Sequence, residues 1–296
     1  MRRFRVTLLG SGHPYPSPDR FGPSTLVEAG EQRILVDTGR GTTIRLWQLG
    51  IPLSGIDRLL LTHFHSDHTC GLPDLWLTGS LSPVWASRKA PLRVTGPVGT
   101  ARLTKYLREA YKSDIDIRLI DERLPPDGIE FDVTEFERDG VVYENDGLKI
   151  IAFEVDHGDA IKPCYGYKFE YEGRSAVLSG DTRYNENVVA YGSGADLIIH
   201  EVGAVRQELL SESGIKHVMD HHTSPEEAGR VFLRAKPKLA AFTHIVLLGS
   251  SSVEPMTAEE IVSQTREVYS GPLVIGEDLM TFEITNDVVI KPWNSG

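Results

Sequence analysis

Short apolar runs that alternate with polar positions are interleaved along this chain with stretches of helical spacing. Arg3 to Leu9, Ser24 to Glu28 and Arg33 to Asp37 read as strands, the first leading into the loop Gly10-Ser11-Gly12-His13-Pro14. Thr42 to Leu49 has helical spacing and stops at Gly50, and Ile56 to Thr62 is an apolar run of the kind buried in a sheet. Pro73 to Leu81 and Val98 to Ala110 read as helices, with Leu92 to Thr95 a strand between them. The region from Ile115 to Glu154 reads as strand-rich, with Gly128, Gly140 and Gly147 at its turns. A second half repeats this grammar. Gly166 to Tyr171 and Ser175 to Ser179 form a hairpin about Glu172-Gly173, Leu197 to His200 and Leu239 to Thr243 are strands, and Ser224 to Lys236 and Thr257 to Tyr269 are helices opened by capping residues. No linker or repeat divides the chain, so residues 1–296 are expected to form one α/β domain of two sheets packed face to face with helices outside.

Composition changes this picture little. Hydrophobic content of 40% and charged content of 25% are those of an ordinary globular protein. No apolar run is long enough for a transmembrane helix, and the basic start Met1-Arg2-Arg3 precedes too short an apolar segment for a signal peptide. Cys70 and Cys164 cannot build a disulfide framework; as free, buried thiols they suit a reducing cytoplasm. The formal net charge of −11 leans against a nucleic-acid partner. The nearest basic group, Arg102, Lys105, Arg108 and Lys112, reads as the solvated face of a helix.

The chemistry concentrates in Leu61-Thr62-His63-Phe64-His65-Ser66-Asp67-His68. His63 and His65 alternate as on extended backbone, Asp67 continues that alternation, and His68 breaks it. One loop therefore offers ligands to two neighbouring metal ions, and imidazole with carboxylate is a donor set of zinc and its first-row neighbours. His157, Asp181 and His244 each follow an apolar strand, the same context as the first cluster.

These motifs, with Leu9-Gly10-Ser11-Gly12, Leu35-Val36-Asp37-Thr38-Gly39 and Ser179-Gly180-Asp181-Thr182, resemble the metallo-β-lactamase superfamily, in particular its branch of ribonuclease Z and arylsulfatase-like and phosphodiesterase-like hydrolases. The resemblance spans nearly the whole chain and implies a four-layer αββα sandwich of two mixed sheets. It implies that His63, His65 and His157 bind one metal, that Asp67, His68 and His244 bind a second, and that Asp181 bridges them. Two Zn2+ ions are expected, with Mn2+ or Fe2+ as alternatives, acting through a metal-bridging hydroxide. Asp37 is expected to orient the ligand loop. The resemblance also picks out Glu201 and His222 as a pair beside the metals, either a proton relay with a general-acid role or a structural brace.

Ribonuclease Z carries a long arm for tRNA between its third-histidine region and the Gly-Asp motif, where this chain has only Tyr171-Glu172-Gly173-Arg174. With the net charge, this favours a small-molecule ester substrate (phosphodiester, sulfate ester, carboxylic ester or lactone) over nucleic acid. A tRNA 3′-processing endonuclease is the alternative, and a non-catalytic metal-binding regulator a more distant one. A homodimer is compatible with the family. The loop from Gly12 to Phe21 is expected to edge the site. Trp76 and Trp85 either pack in the ordinary way or wall a pocket, and Arg20 and Arg183 either are solvated or pair with an anionic substrate group.

Overall fold

The computed structural model describes residues 2–81 and 86–293; Trp85 lies outside them. Among the described residues a first sheet contains β1 (Phe4–Gly10), β2 (Ser24–Ala29), β3 (Gln32–Val36), β4 (Arg58–Leu60), β5 (Leu92–Pro97) and β6 (Phe131–Phe136). A second contains β7 (Gly140–Asn145), β8 (Leu148–Glu154), β9 (Tyr165–Tyr171), β10 (Arg174–Leu178), β11 (Leu197–Val205), β12 (Leu239–Leu248) and β13 (Leu273–Ile275). The chain ends with β14 (Thr281–Ile284) and β15 (Val288–Lys291), which return to the first sheet and give it the order β15-β14-β1-β2-β3-β4-β5-β6. Both sheets mix parallel and antiparallel pairs.

The layers follow from the period-2 pattern. Phe4, Val6, Leu8 and Ile34 point inward to meet Ile150, Tyr167, Phe169 and Ile199 of the other sheet in a common core. Leu35, Leu59 and Val94 face outward and are covered by α1 (Thr42–Gln48), α3 (Leu72–Ser80), α4 (Thr100–Ala110) and α5 (Lys112–Asp121). Val177, Ile198 and Ala240 face the opposite way, under α6 (Glu186–Gly192), α8 (Pro225–Ala235) and α9 (Ala258–Arg266). The result is the expected αββα sandwich. Two short helices, α2 (Ser66–Thr69) and α7 (Ser213–Met219), belong to loops at its edge.

Several boundaries differ from the sequence reading. Ile115 to Asp121 is helical rather than extended: only Ile115 is buried, and Lys112–Asp116, Asp114–Arg118 and Arg118–Glu122 pairs one turn apart stitch the exposed face. Asp67 does not continue the strand-like alternation of His63 and His65, because the backbone turns helical at Ser66. Trp76 is core: it is fully buried, donates from Nε1 to Ile129 O and stacks on Phe131. Cys164 is buried, whereas Cys70 is exposed.

The parallel strands carry the site. Asp37 follows β3, His63 follows β4, Asp181 follows β10, and Glu201 and His244 lie within β11 and β12. Loops at the carboxyl ends of such strands converge where no strand follows to cover them. Thr62 O accepts from Tyr165 N at 3.1 Å and Ser11 O accepts from Ile245 N at 3.1 Å, tying loops of the two sheets together around that edge.

Candidate metal centre

Asp181 lies at the middle of the constellation. Its Oδ2 is 3.2 Å from His68 Nε2, 3.2 Å from His244 Nε2, 3.6 Å from His157 Nε2 and 3.9 Å from His63 Nε2. Asp67 Oδ2 stands 3.3 Å from His244 Nε2 and 3.5 Å from His68 Nε2, and His65 Nδ1 stands 3.3 Å from His157 Nε2. Among the described residues the donor atoms fall into three groups: His63, His65, His157 and Asp181; Asp67, His68 and His244; and Asp181, His222 and His244, which shares a member with each of the others. Two donors about 2.0–2.1 Å from one tetrahedral ion stand about 3.4 Å apart, so these spacings suit shared ions better than direct hydrogen bonds. All of these residues are buried except His222, which is half-buried, and His65, which opens the site to solvent.

The hydrogen bonds behind the ring nitrogens fix which atom each imidazole presents. Thr62 Oγ1 donates to Asp37 Oδ2 at 2.8 Å, so its oxygen can only accept from His63 Nδ1 at 3.0 Å. His63 Nε2 is then a bare lone pair, and it is buried without a hydrogen-bond partner. His68 Nδ1 is 2.8 Å from Asp37 Oδ2, and His157 Nδ1 donates to the His221 carbonyl at 2.9 Å. Each leaves Nε2 facing Asp181, the tautomer a metal-binding imidazole needs. A buried lone pair with nothing to bind is costly, and a cation at this point removes that cost. The residues present therefore fit a divalent metal.

Electrostatics agree. Burial pushes His63 well down, and burial lowers His157 to about 4 against the pull of Asp181, so both rings are neutral at physiological pH, the form in which imidazole can bind a metal. Burial also disfavours charge on His68, but Asp181 and Asp37 outweigh it and raise the ring well above its ordinary value. Burial would raise Asp181, but His244 and His68 outweigh it and hold the carboxyl well below the usual range. The carboxylates thus draw positive charge into the centre.

Two backbone features place the ligands. His244 is a bulge in β12: Thr243 pairs with Glu201 and Ile245 with Val202, leaving His244 between them at φ 42°. A bulge re-aims one side chain out of the ladder. The sequence reading places His244 at a strand end, whereas the strand continues to Leu248. Gly180, at φ 63°, lets the chain turn Asp181 inward, and a Cβ there would stand 2.5 Å from Tyr165 O.

Glu201 is fully buried. Its Oε1 accepts from Thr182 N at 3.2 Å and Thr223 N at 2.9 Å, while Oε2 meets His222 Nδ1 at 3.1 Å. It thereby joins the loop bearing Asp181 to the loop bearing His222. Burial disfavours charge on His222, but Glu201 outweighs it and raises the ring to about 9. Arg20 and Arg183 are engaged within the protein: Arg20 donates to Ser11 Oγ and Gly276 O, and Arg183 pairs with Asp156 at 2.7 Å. The loop from Gly12 begins beside His244, since Ser11 O accepts from Ile245 N at 3.1 Å. Burial lowers its His13, whose Nδ1 is buried without a hydrogen-bond partner.

This fold and this edge of histidines and carboxylates define a metal-dependent hydrolase, and the sequence profile of the beta-lactamase superfamily domain matches residues 32–245. The chain belongs to the metallo-β-lactamase superfamily. It is 35% identical over 285 residues to a ribonuclease Z of Mycobacterium marinum, a match covering 94% of this chain and 98% of the relative. Among solved structures, the metallo-beta-lactamase fold protein YhfI from Bacillus subtilis superposes with a TM-score of 0.74 at 18% identity, covering 95% of this chain and 100% of that one. Human tRNase Z, short form, superposes at 0.69 with 21% identity, covering 95% and 98%.

These relatives correct one expectation. Nucleic acid as an improbable partner, with a small-molecule ester preferred, is overturned by near full-length relatives named ribonuclease Z. Neither argument behind that expectation holds. The short loop at Tyr171 to Arg174 does not set the chain apart from a relative named ribonuclease Z that it matches over 98% of that relative's length. Net charge is a sum over the surface, whereas phosphate contacts are local. No helix among the described residues is long and apolar enough to cross a membrane.

Proposed function

We propose that this protein is an endoribonuclease that removes the 3′ trailer of precursor tRNA by metal-dependent hydrolysis of a phosphodiester. The observation that carries the reading is the identity to proteins named ribonuclease Z along nearly the whole of both chains. A local feature supports it. Helix α4 starts beside the ligand loop, where Gly99 packs on Phe64, and it exposes Tyr106 with Arg102 and Lys105 at 5.9 and 6.0 Å from its ring. Aromatic faces with adjacent cations suit a nucleic-acid backbone and its bases.

In this reading His63, His65 and His157 would hold one Zn2+ and Asp67, His68 and His244 the other, with Asp181 within reach of both groups of donors; Mn2+ or Fe2+ would suit the same residues. Bound there, the metals supply an acidified water and neutralise charge that develops on the phosphoryl oxygens. Asp37 and Thr62 keep His63 and His68 in the ligand tautomer. Glu201 holds His222 protonated through Nδ1, leaving the other ring nitrogen to protonate the leaving oxygen.

The test is to compare kcat/KM for precursor tRNA, bis-p-nitrophenyl phosphate, nitrophenyl sulfate and a lactone with added Zn2+ or Mn2+. The proposal expects precursor tRNA to lead by orders of magnitude. Efficient turnover of a small ester with the precursor left uncut would overturn it.

A further inference from the structure

We propose that the cavity walled by Tyr15 and Ile44, next to the metal centre, is a subsite for one unstacked nucleobase flanking the bond that is cut; the proposal rests on the ribonuclease reading above. The cavity measures about 300 Å3, and its lining includes the Tyr15 and Phe21 rings, Ile44, the cations Arg20 and Arg40 and one carboxylate, Asp74. That is the lower end of ligand pockets, enough for one heterocycle and too small for a helical stem. Tyr15 is 66% exposed and Ile44 54% exposed, so a tyrosine ring and an aliphatic wall face open space.

The pocket is built on a rigid frame. Gly12 N donates to Phe21 O at 2.8 Å, and Asp278 accepts from Ser11 N at 2.9 Å and from Phe21 N at 2.8 Å. The Arg45 guanidinium lies 3.9 Å over the Phe21 ring. On Gly41, at φ 86°, a Cβ would stand 2.2 Å from that ring, so the pocket floor closes only on glycine. Such a preformed wall loses little entropy when a ligand stacks on it.

Its position links it to the reaction. The Tyr15 ring packs edge-on against His13, centroids 5.7 Å apart, and the loop that carries both follows Ser11, whose carbonyl accepts from Ile245 N, next to His244, at 3.1 Å. On the opposite wall, Arg40 O accepts from Gly22 N at 3.1 Å, and two residues earlier Thr38 N donates to His68 O at 2.8 Å. The cavity wall at Arg40 is therefore tied through the backbone to the segment that bears His68, which sets the cavity on the flank of the centre where a nucleotide adjoining the cleaved phosphate would lie. Single-stranded RNA ends are read by splaying bases onto aromatic rings and guanidinium planes, and Tyr15 with Arg40 at the rim offers both.

The test is a cycle of protein and substrate changes. Precursor tRNA carries either a normal base or an abasic ribose at each nucleotide flanking the cut. An abasic ribose at one flank should raise KM about tenfold. Tyr15→Ala should raise KM similarly on normal RNA and add nothing on that abasic RNA, while Tyr15→Phe should behave as wild type. Independent losses, or no loss at either abasic position while the precursor is still cut, would overturn the subsite and leave the ribonuclease reading intact. An uncut precursor would defeat the ribonuclease reading itself. The subsite is then judged by fluorescence anisotropy with a labelled, cleavage-resistant phosphorothioate tetranucleotide in normal and abasic forms. Equal affinity of the two forms for the wild-type protein would overturn it.

Discussion

Residue by residue, the geometry of the proposed centre rests on groups outside its ligand set. Asp37 accepts from Thr62 N, Thr62 Oγ1 and His68 Nδ1, and through Thr62 it sets His63 as well. Asp37→Ala should leave the ligand set complete yet weaken metal affinity by about 10–100-fold, read by competition with a chelator. An unchanged affinity would remove Asp37 from this role. Glu201 and His222 give a pH signature in the metal-free protein. His222 is raised from 6.5 to about 9 in the folded state, so its stabilising contribution is fully present below pH 6.5 and is lost as pH rises through about 9. Wild type should therefore exceed Glu201→Gln in Tm at pH 6, and the gap should close above about pH 9; a gap independent of pH contradicts the pairing. The sequence makes the ligand types legible, because histidines and aspartates at strand ends stand out. It does not show the Thr62–Asp37 relay, since hydrogen bonds across 25 or 31 residues have no local pattern.

At the scale of elements, apolar period and length decide what is legible. The long buried strands β1, β9 and β10 and the capped helices α8 and α9 stand out in the sequence. Helix α5 does not, because Ile115-Asp116-Ile117 mimics strand alternation while only the charge pairs one turn apart reveal the helix. The C-terminal strands β13 to β15 are three or four residues long and partly exposed, too short to give a period. The bulge at His244 is set by the partner strand β11 and leaves no mark in its own segment. The turn before Asp181 is different, because glycine is what its geometry demands. Gly180→Ala combines a left-handed φ of 63° with a Cβ 2.5 Å from Tyr165 O. It should cost about 1–3 kcal/mol in urea unfolding and reduce bound metal, because the strain relaxes by moving Asp181. Wild-type stability and metal content would contradict this account of the turn.

For the whole molecule, two properties lean away from RNA, and neither decides the substrate. The charge of −11 says nothing about the exposed Arg102, Lys105 and Tyr106 beside the ligand loop. The tight turn from Tyr171 to Arg174 carries no arm, yet relatives named ribonuclease Z match the chain along nearly its whole length. Substrate class was thus the part least legible in the sequence, because it depends on which surface adjoins the metals rather than on which ligands bind them. The most direct test of the central claim is to sequence the 3′ ends produced when the Zn2+-loaded protein meets a precursor tRNA. The account predicts a single end at the junction of tRNA and trailer, formed roughly 10³-fold more slowly by a folded Asp181→Ala protein. An intact precursor, scattered ends, or an Asp181→Ala protein that cuts as fast as wild type would contradict it.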